Sequence, residues 1–403
     1  MALAIAAAFL GACALVFLWF EHRAALTLPA PSGPFHVSRL TEVWTDEHRP
    51  DSLVDSPGTR TELVVWIWFP STSSPNLTPA EYMPAAWRRA VANRQSMLMR
   101  LLSRDHASVR AHSVVDGPVI PFGPPGPLDH DQRNYPIVIL RAGLGALTTE
   151  YTTLAEDLAS HGYVVVGFDA PYRTRVVVFP DGRVLSRPPR LDPDALTGVG
   201  QERLLVRLLH AWTGDIGFVI DRLRQLNAPG ERRFGGTLDL QQIAVVGHAL
   251  GGATAAQFCS EDSRCAAGID MDGALRGRVV QAGLRRPFMF MLSDHGEPND
   301  PPSRKILADI QSVHDRLPAE GRMGLVIRGA DHVSFSDSLL TRSRLARGVM
   351  RVTGNYSLEP RRGLAIVAES ARRFLDVHLK GAPMSSLQGL AETYPEVQLA
   401  LPR

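Results

Sequence analysis

Alanine 249 occupies a position where the surrounding residues call for a nucleophile. Ile243-Ala244-Val245-Val246 is an unbroken apolar run, and Gly247-His248-Ala249-Leu250-Gly251-Gly252 follows it directly. A short apolar run closed by glycines reads as a buried strand turning sharply into a helix, because a Cβ on either side of the central residue would meet the neighbouring strand or helix. The tip of such a turn presents a serine hydroxyl for covalent catalysis; in this chain the tip is Ala249.

A serine nucleophile needs a base to take its proton and a carboxylate to orient that base. His332 lies in Gly329-Ala330-Asp331-His332-Val333-Ser334-Phe335, a loop after the strand-like residues 323–328, and is placed to reach over a sheet edge. A lone loop histidine is ordinarily a solvated side chain, the reading kept for His36, His48, His106 and His130. Two carboxylates end successive strand-like runs: Asp272 after residues 267–271, and Asp294 after residues 287–293. Either can orient the base, and either can instead cap a helix or close a turn. Asp272 ranks first and Asp294 is the alternative acid. An oxyanion hole needs two backbone N–H groups, one from the residue after the nucleophile and one from a loop after an early strand. Leu250 is the first. Leu144, between Gly143 and Gly145 and behind the apolar residues 136–140, is the second.

The chain order of nucleophile position, acid and base is that of α/β-hydrolases. The intervening elements agree. Apolar runs at 136–140 and 163–168 bracket a helix-like stretch at 149–161, the alternation of a parallel βαβ unit. Before them come a Pro-rich linker at 28–34, an early antiparallel strand at 62–69 and a helix-like stretch at 84–102. Between about 170 and 240 lies a cap-like excursion, with a hairpin pattern at 176–184 and a long amphipathic helix at 204–226. A C-terminal helix at 363–379 turns Leu364, Ile366, Val367, Phe374 and Val377 to the core. The expected fold is a mostly parallel central sheet with helices on both faces, residues 25–403 forming one hydrolase domain with an inserted cap.

The chain resembles the platelet-activating-factor acetylhydrolase family, bacterial members included, within the dienelactone-hydrolase-like branch. The resemblance is carried by residues 28–35, 63–70 and 154–163, by the turn around Ala249, by Asp272-Gly273, and by the block around His332. It implies Ala249, Asp272 and His332 as the positions of nucleophile, acid and base, and hydrolysis of short-chain or phospholipid-like carboxyl esters without a cofactor. Two residues depart from the pattern. Arg141-Ala142 precede Gly143 where relatives often carry a histidine, and Ala249 replaces the serine. Three origins account for the alanine: an engineered replacement, natural loss of activity, or chemistry without a covalent intermediate. The competing class is a non-catalytic binding protein that keeps the pocket.

Composition excludes some partners. The 403 residues carry a formal charge of +2, and lysine occurs only at 305 and 380, so no basic stripe for nucleic acid is present. Cys259 and Cys265 are close enough in sequence to pair in an oxidising compartment or to remain free thiols in a reducing one, and no histidine shares their spacing, so no metal site is expected. Residues 2–20 form an uncharged apolar run of bilayer-spanning length, with residues 1–24 read as a signal anchor or signal peptide. Glu21-His22-Arg23 follow and no basic residue precedes, which leans the C-terminal side toward the cytoplasm. The family resemblance favours the opposite orientation, with a membrane-anchored or exported catalytic domain outside the cytoplasm.

Overall fold

A computed structural model describes residues 1–54, 58–72, 76–120, 134–294, 296, 300–354 and 356–401. Eight strands build the body of the sheet: β1 (His36–Pro50), β2 (Arg60–Ser71), β3 (Tyr135–Arg141), β4 (Val164–Asp169), β5 (Leu238–His248), β6 (Cys265–Met271), β7 (Phe288–Ser293) and β8 (Arg322–Ile327). Their order across the sheet is β1-β2-β4-β3-β5-β6-β7-β8. β1 and β2 pair antiparallel, as do β2 and β4, and every junction from β4 to β8 is parallel. Short strands at Leu26–Thr27, Val109–Val115 and Pro79–Glu81 extend the β1 edge, and Val397–Gln398 closes the β8 edge. This is the α/β-hydrolase architecture expected from the sequence.

The parallel strands are mostly apolar where both faces are covered, as in β3, β4 and β7. Alternation then sorts the side chains. Val138 and Leu140 of β3 pack with Leu154 and Leu158 of α2 (Thr152–Ser160) and with Phe374 of the C-terminal helix Pro360–Lys380. Ile137 and Ile139 face the other way, onto Ile216, Val219 and Leu223 of α3 (Gly198–Leu226) and Ala255 and Phe258 of α4 (Leu250–Glu261).

Several sequence expectations need adjustment. The helix-like stretch 84–102 is two helices, Ala85–Ala92 and Met97–Leu101, because the Ser96 side chain accepts from the Met99 N–H and caps a new start. The stretch 149–161 opens with a 3₁₀ turn, Thr148–Tyr151, before α2 begins. The long helix starts at Gly198 rather than 204, and its first half packs outside the sheet. There Leu204, Leu208, Leu209 and Trp212 cluster with Leu53, Leu191, Leu250 and Ala253. Of the histidines expected in solvent, His36 and His48 are exposed, whereas His106 is half-buried against the Tyr82 ring, and burial holds its imidazole below its usual range. His130 lies outside the described residues.

The N-terminal segment is helical over Ala2–Arg23. Among the described residues no helix is long and apolar enough to cross a membrane. The expected anchor includes positions 2–4, 7 and 8, whose side chains lie outside the described set. Cys259 and Cys265 are disulfide-bonded with Cα atoms 5.1 Å apart, tying the end of α4 to the start of β6.

Candidate active site

The turn after β5 is held in a conformation that few residues adopt. Ala249 has φ 53° and ψ −124°, a left-handed geometry costing on the order of 1–3 kcal/mol for a residue with a Cβ. It persists because its surroundings over-determine it. The Ala249 N–H donates to the Met271 carbonyl at 2.9 Å, and its own carbonyl accepts from the N–H groups of Gly252 (2.9 Å) and Ala253 (3.1 Å). The glycines are obligatory: a Cβ on Gly247 would lie 2.1 Å from the Gly251 carbonyl oxygen, and one on Gly251 would lie 2.4 Å from that of Arg141.

Asp272 follows β6 and has φ 56°, so the strand's alternation breaks at this residue. Its side chain is buried. Oδ2 accepts from His332 Nδ1–H at 2.7 Å, and Oδ1 accepts from the backbone N–H of Ser293 at 2.9 Å and from its hydroxyl at 3.0 Å. The carboxylate is thus fixed from below while its histidine faces outward: the His332 side chain is 50 % exposed against 1 % for Asp272. The base loop is braced locally, the Ser334 hydroxyl donating to the Asp331 carboxylate at 2.6 Å and Ser334 N–H to the Asp331 carbonyl at 3.0 Å. The pair fits a base whose Nδ1 proton is held by a carboxylate, leaving Nε2 free to accept.

The alternative acid does other work. Asp294 Oδ2 accepts from the Gly329 N–H at 2.9 Å, and its own N–H donates to the Ala330 carbonyl, closing the turn that leads to His332. Asp270, two residues before Asp272, points beneath the elbow. Its Oδ1 accepts from Gly273 N–H at 2.8 Å, and a Cβ on Gly252 would fall 1.8 Å from it. Burial pushes the Asp270 carboxyl well above the usual range.

The two expected oxyanion donors flank the elbow. Leu250 is the first residue of α4, and its N–H therefore has no carbonyl within the helix to meet. Leu144 lies in a four-residue turn closed by Ala146 N–H donating to the Gly143 carbonyl at 3.0 Å, with Gly145 at φ 80°. A Cβ on Gly143 would stand 3.2 Å from the Ala249 Cβ, so turn and elbow are in contact. Leu144 and Leu250 both join the apolar cluster of the excursion, together with Tyr172, Leu191, Leu204 and Leu205. The site has an apolar wall built by residues distant in sequence.

Several residues of this region carry no sequence signal of their own. Arg175 donates to the Gly145 carbonyl at 2.9 Å and pairs with Glu150 at 2.6 Å, bracing the turn from behind. Burial works against ionising Glu150, but the adjacent Arg175 guanidinium outweighs it and holds the carboxyl below its ordinary range. Arg141, two residues before Gly143, turns inward. Its guanidinium lies 4.0 Å from the Phe168 ring centroid and 4.7 Å from that of Trp212, donates to the Phe168 carbonyl at 2.6 Å, and is pulled down to about 10 by burial. Ser293 could have been found only from its place at a strand tip beside Asp294.

Comparisons with known proteins point to one family and one fold. A family model described as platelet-activating factor acetylhydrolase, isoform II, matches residues 60–173 and 229–386. A probable 1-alkyl-2-acetylglycerophosphocholine esterase of Arthroderma benhamiae is 25 % identical over 393 residues, covering 92 % of each chain. The platelet-activating factor acetylhydrolase of Bos taurus is 26 % identical over 274 residues, 61 % of this chain and 58 % of that one. Among solved structures, a ferulic acid esterase from Streptomyces cinnamoneus superposes with a TM-score of 0.73 at 26 % identity, covering 93 % of this chain and 99 % of its own. With the family model matching well over half of its length, the chain belongs to the platelet-activating factor acetylhydrolase isoform II family of esterases.

Proposed function

We propose that this chain is the scaffold of a serine carboxylester hydrolase for short-chain or phospholipid-like esters, and that Ala249 leaves it without its nucleophile. The observation that carries the reading is the intact half of the machinery: Asp272 bonded to His332 at 2.7 Å, beside a turn whose central residue still holds φ 53° and ψ −124°. With serine at 249, the His332 imidazole takes the hydroxyl proton as Oγ attacks the ester carbonyl. The Leu144 and Leu250 N–H groups hold the oxyanion, and the imidazolium returns the proton to the departing alkoxide. Water then repeats the sequence on the acyl-enzyme, releasing the acid. The names of the relatives, the 1-alkyl-2-acetylglycerophosphocholine esterase among them, support a phospholipid-like substrate with a short acyl group. The apolar wall around Leu144 and Leu250 suits an acyl chain.

Membrane proximity and an extracytoplasmic location are part of the same proposal. The disulfide Cys259–Cys265 supports an oxidising compartment. The N-terminal helix exposes Phe9, Val16, Phe17, Trp19 and Phe20, and it is tied to the body where Glu21 pairs with Arg104 at 3.4 Å and accepts from the Arg344 N–H at 2.7 Å. Those partners border two further helices with exposed apolar residues, Met97, Leu98 and Met99 on one and Leu345, Val349 and Val352 on the other. Such a concentration of apolar surface favours contact with lipid.

The test compares the full chain with its Ala249→Ser variant on a short-chain nitrophenyl ester, with a fluorophosphonate label applied to each. Restoring a nucleophile to an otherwise complete site should raise turnover by about 10⁶ and create one labelled residue. If both proteins are folded and neither turns over nor labels, the hydrolase reading fails and a non-catalytic binding protein replaces it.

A further inference from the structure

His248, the residue before the nucleophile position, is buried with both ring nitrogens engaged. Nε2 lies 2.8 Å from the His332 carbonyl oxygen and Nδ1 lies 2.7 Å from the Tyr151 hydroxyl. The Tyr151 oxygen also accepts the Gly143 N–H at 3.2 Å. The ends of this chain assign its protons. A backbone carbonyl only accepts, so Nε2 carries the hydrogen, and in the neutral ring Nδ1 is then an acceptor. The Tyr151 hydroxyl must then donate to Nδ1, which leaves its lone pair for Gly143, a group that only donates. We infer that Tyr151 and His248 are positioning residues, a hydrogen-bonded strut running from the Gly143 N–H to the His332 carbonyl that sets the oxyanion turn against the loop carrying the base.

The reason such a strut is needed lies in Gly143. The peptide plane after its Cα contains the Leu144 N–H, and that plane is held by the Gly143 carbonyl accepting from Ala146. The plane before its Cα is held by Tyr151. Between the two planes is a glycine, the residue with the widest backbone freedom, and a Cβ there would stand 3.4 Å from His248 Nδ1. Without the Tyr151 bond the turn can swing about Gly143 and carry the Leu144 donor off its line. At the other end, the His248 ring packs between the His332 ring, 4.5 Å away centre to centre, and the Phe335 ring at 5.7 Å, so the strut follows any shift of the base loop. Burial, with repulsion from His332 added and Asp272 opposing, pulls the His248 imidazole down to about 3, consistent with a ring that stays neutral.

The inference rests on the hydrolase reading for its consequence but not for its first test. In the full chain as it stands, ¹⁵N spectra of the imidazoles should show one histidine protonated on Nε2 alone and unchanged from pH 8 to pH 5. Amide exchange at Gly143 should be protected, and should accelerate at least tenfold in Tyr151→Phe and in His248→Leu. His248→Gln should retain protection, because its amide can accept from Tyr151 and donate to His332 together. In the Ala249→Ser background, Tyr151→Phe and His248→Leu should each lower kcat by about 10- to 100-fold with KM within about threefold, less than the complete loss of an oxyanion donor. The double variant should be no worse than either single, and His248→Gln should stay within about threefold of its parent. An Nδ1–H tautomer, a ring titrating near 6.5, or equal exchange in the leucine and glutamine variants overturns the strut. Absence of turnover in Ala249→Ser alone would overturn the hydrolase reading instead, and the exchange data would still decide whether the strut exists.

Discussion

His332 and His248 face each other at 4.5 Å and have opposite surroundings. His332 is half-exposed and donates its Nδ1–H to the buried Asp272 carboxylate. His248 is enclosed, has no carboxylate partner and places both nitrogens on neutral groups. The difference lies in what meets Nδ1, a carboxylate in one ring and a phenol in the other. A carboxylate there stabilises the charged ring, and a phenol in a dry site penalises it.

The largest expected effect comes from removing that distinguishing carboxylate. In the Ala249→Ser protein, Asp272→Asn should lower kcat by about 10⁴, since the amide favours the wrong imidazole tautomer. Asp294→Asn, at the turn to Gly329, should leave kcat within about threefold; steady-state kinetics on one ester separates the two. Equal losses would return the assignment of the acid to both carboxylates.

His248 should betray its burial in acid. Its folded pKa, about 3, lies below the usual 6.5, so the unfolded chain takes up a proton that the folded chain refuses. The stability this residue contributes is complete above pH 6.5 and is lost as pH falls toward 3. By linkage the loss between pH 7 and pH 4 is about 3 kcal/mol. Denaturant unfolding of the parent and of His248→Gln at those two pH values should show the slope in the parent and a weaker one in the variant. Asp270 and Asp337 are shifted upward by burial and oppose the trend, but they are common to both proteins.

Smaller effects sharpen the contrast between parts that hold the fold and parts that do chemistry. Replacing Cys259 and Cys265 with serine should cost about 2 kcal/mol from the lost loop constraint while leaving kcat of the Ala249→Ser protein unchanged. Ala249→Gly should stabilise the chain by about 1 kcal/mol, relief of the left-handed strain exceeding the added chain entropy. A destabilised glycine variant, read from thermal unfolding, would mean that the elbow's geometry holds no strain at 249.

The sequence by itself determined the parts whose chemistry is local. The glycines of the elbow, the apolar strands on either side and the turn with Gly143 and Gly145 follow from sterics and from period-two burial, and these act over a few residues. Only the tertiary structure shows that His332 meets Asp272 while Asp294 meets Gly329. Both end strands, and the difference depends on which tip the Ser293 backbone braces and His332 reaches, contacts 21 and 60 residues apart in sequence. The inward Arg141, the Arg175 brace and the Tyr151–His248 strut belong to the same class. Each rests on burial and on a partner brought near by sheet order, and a side chain's type says nothing of its solvent or its neighbour until the chain is packed.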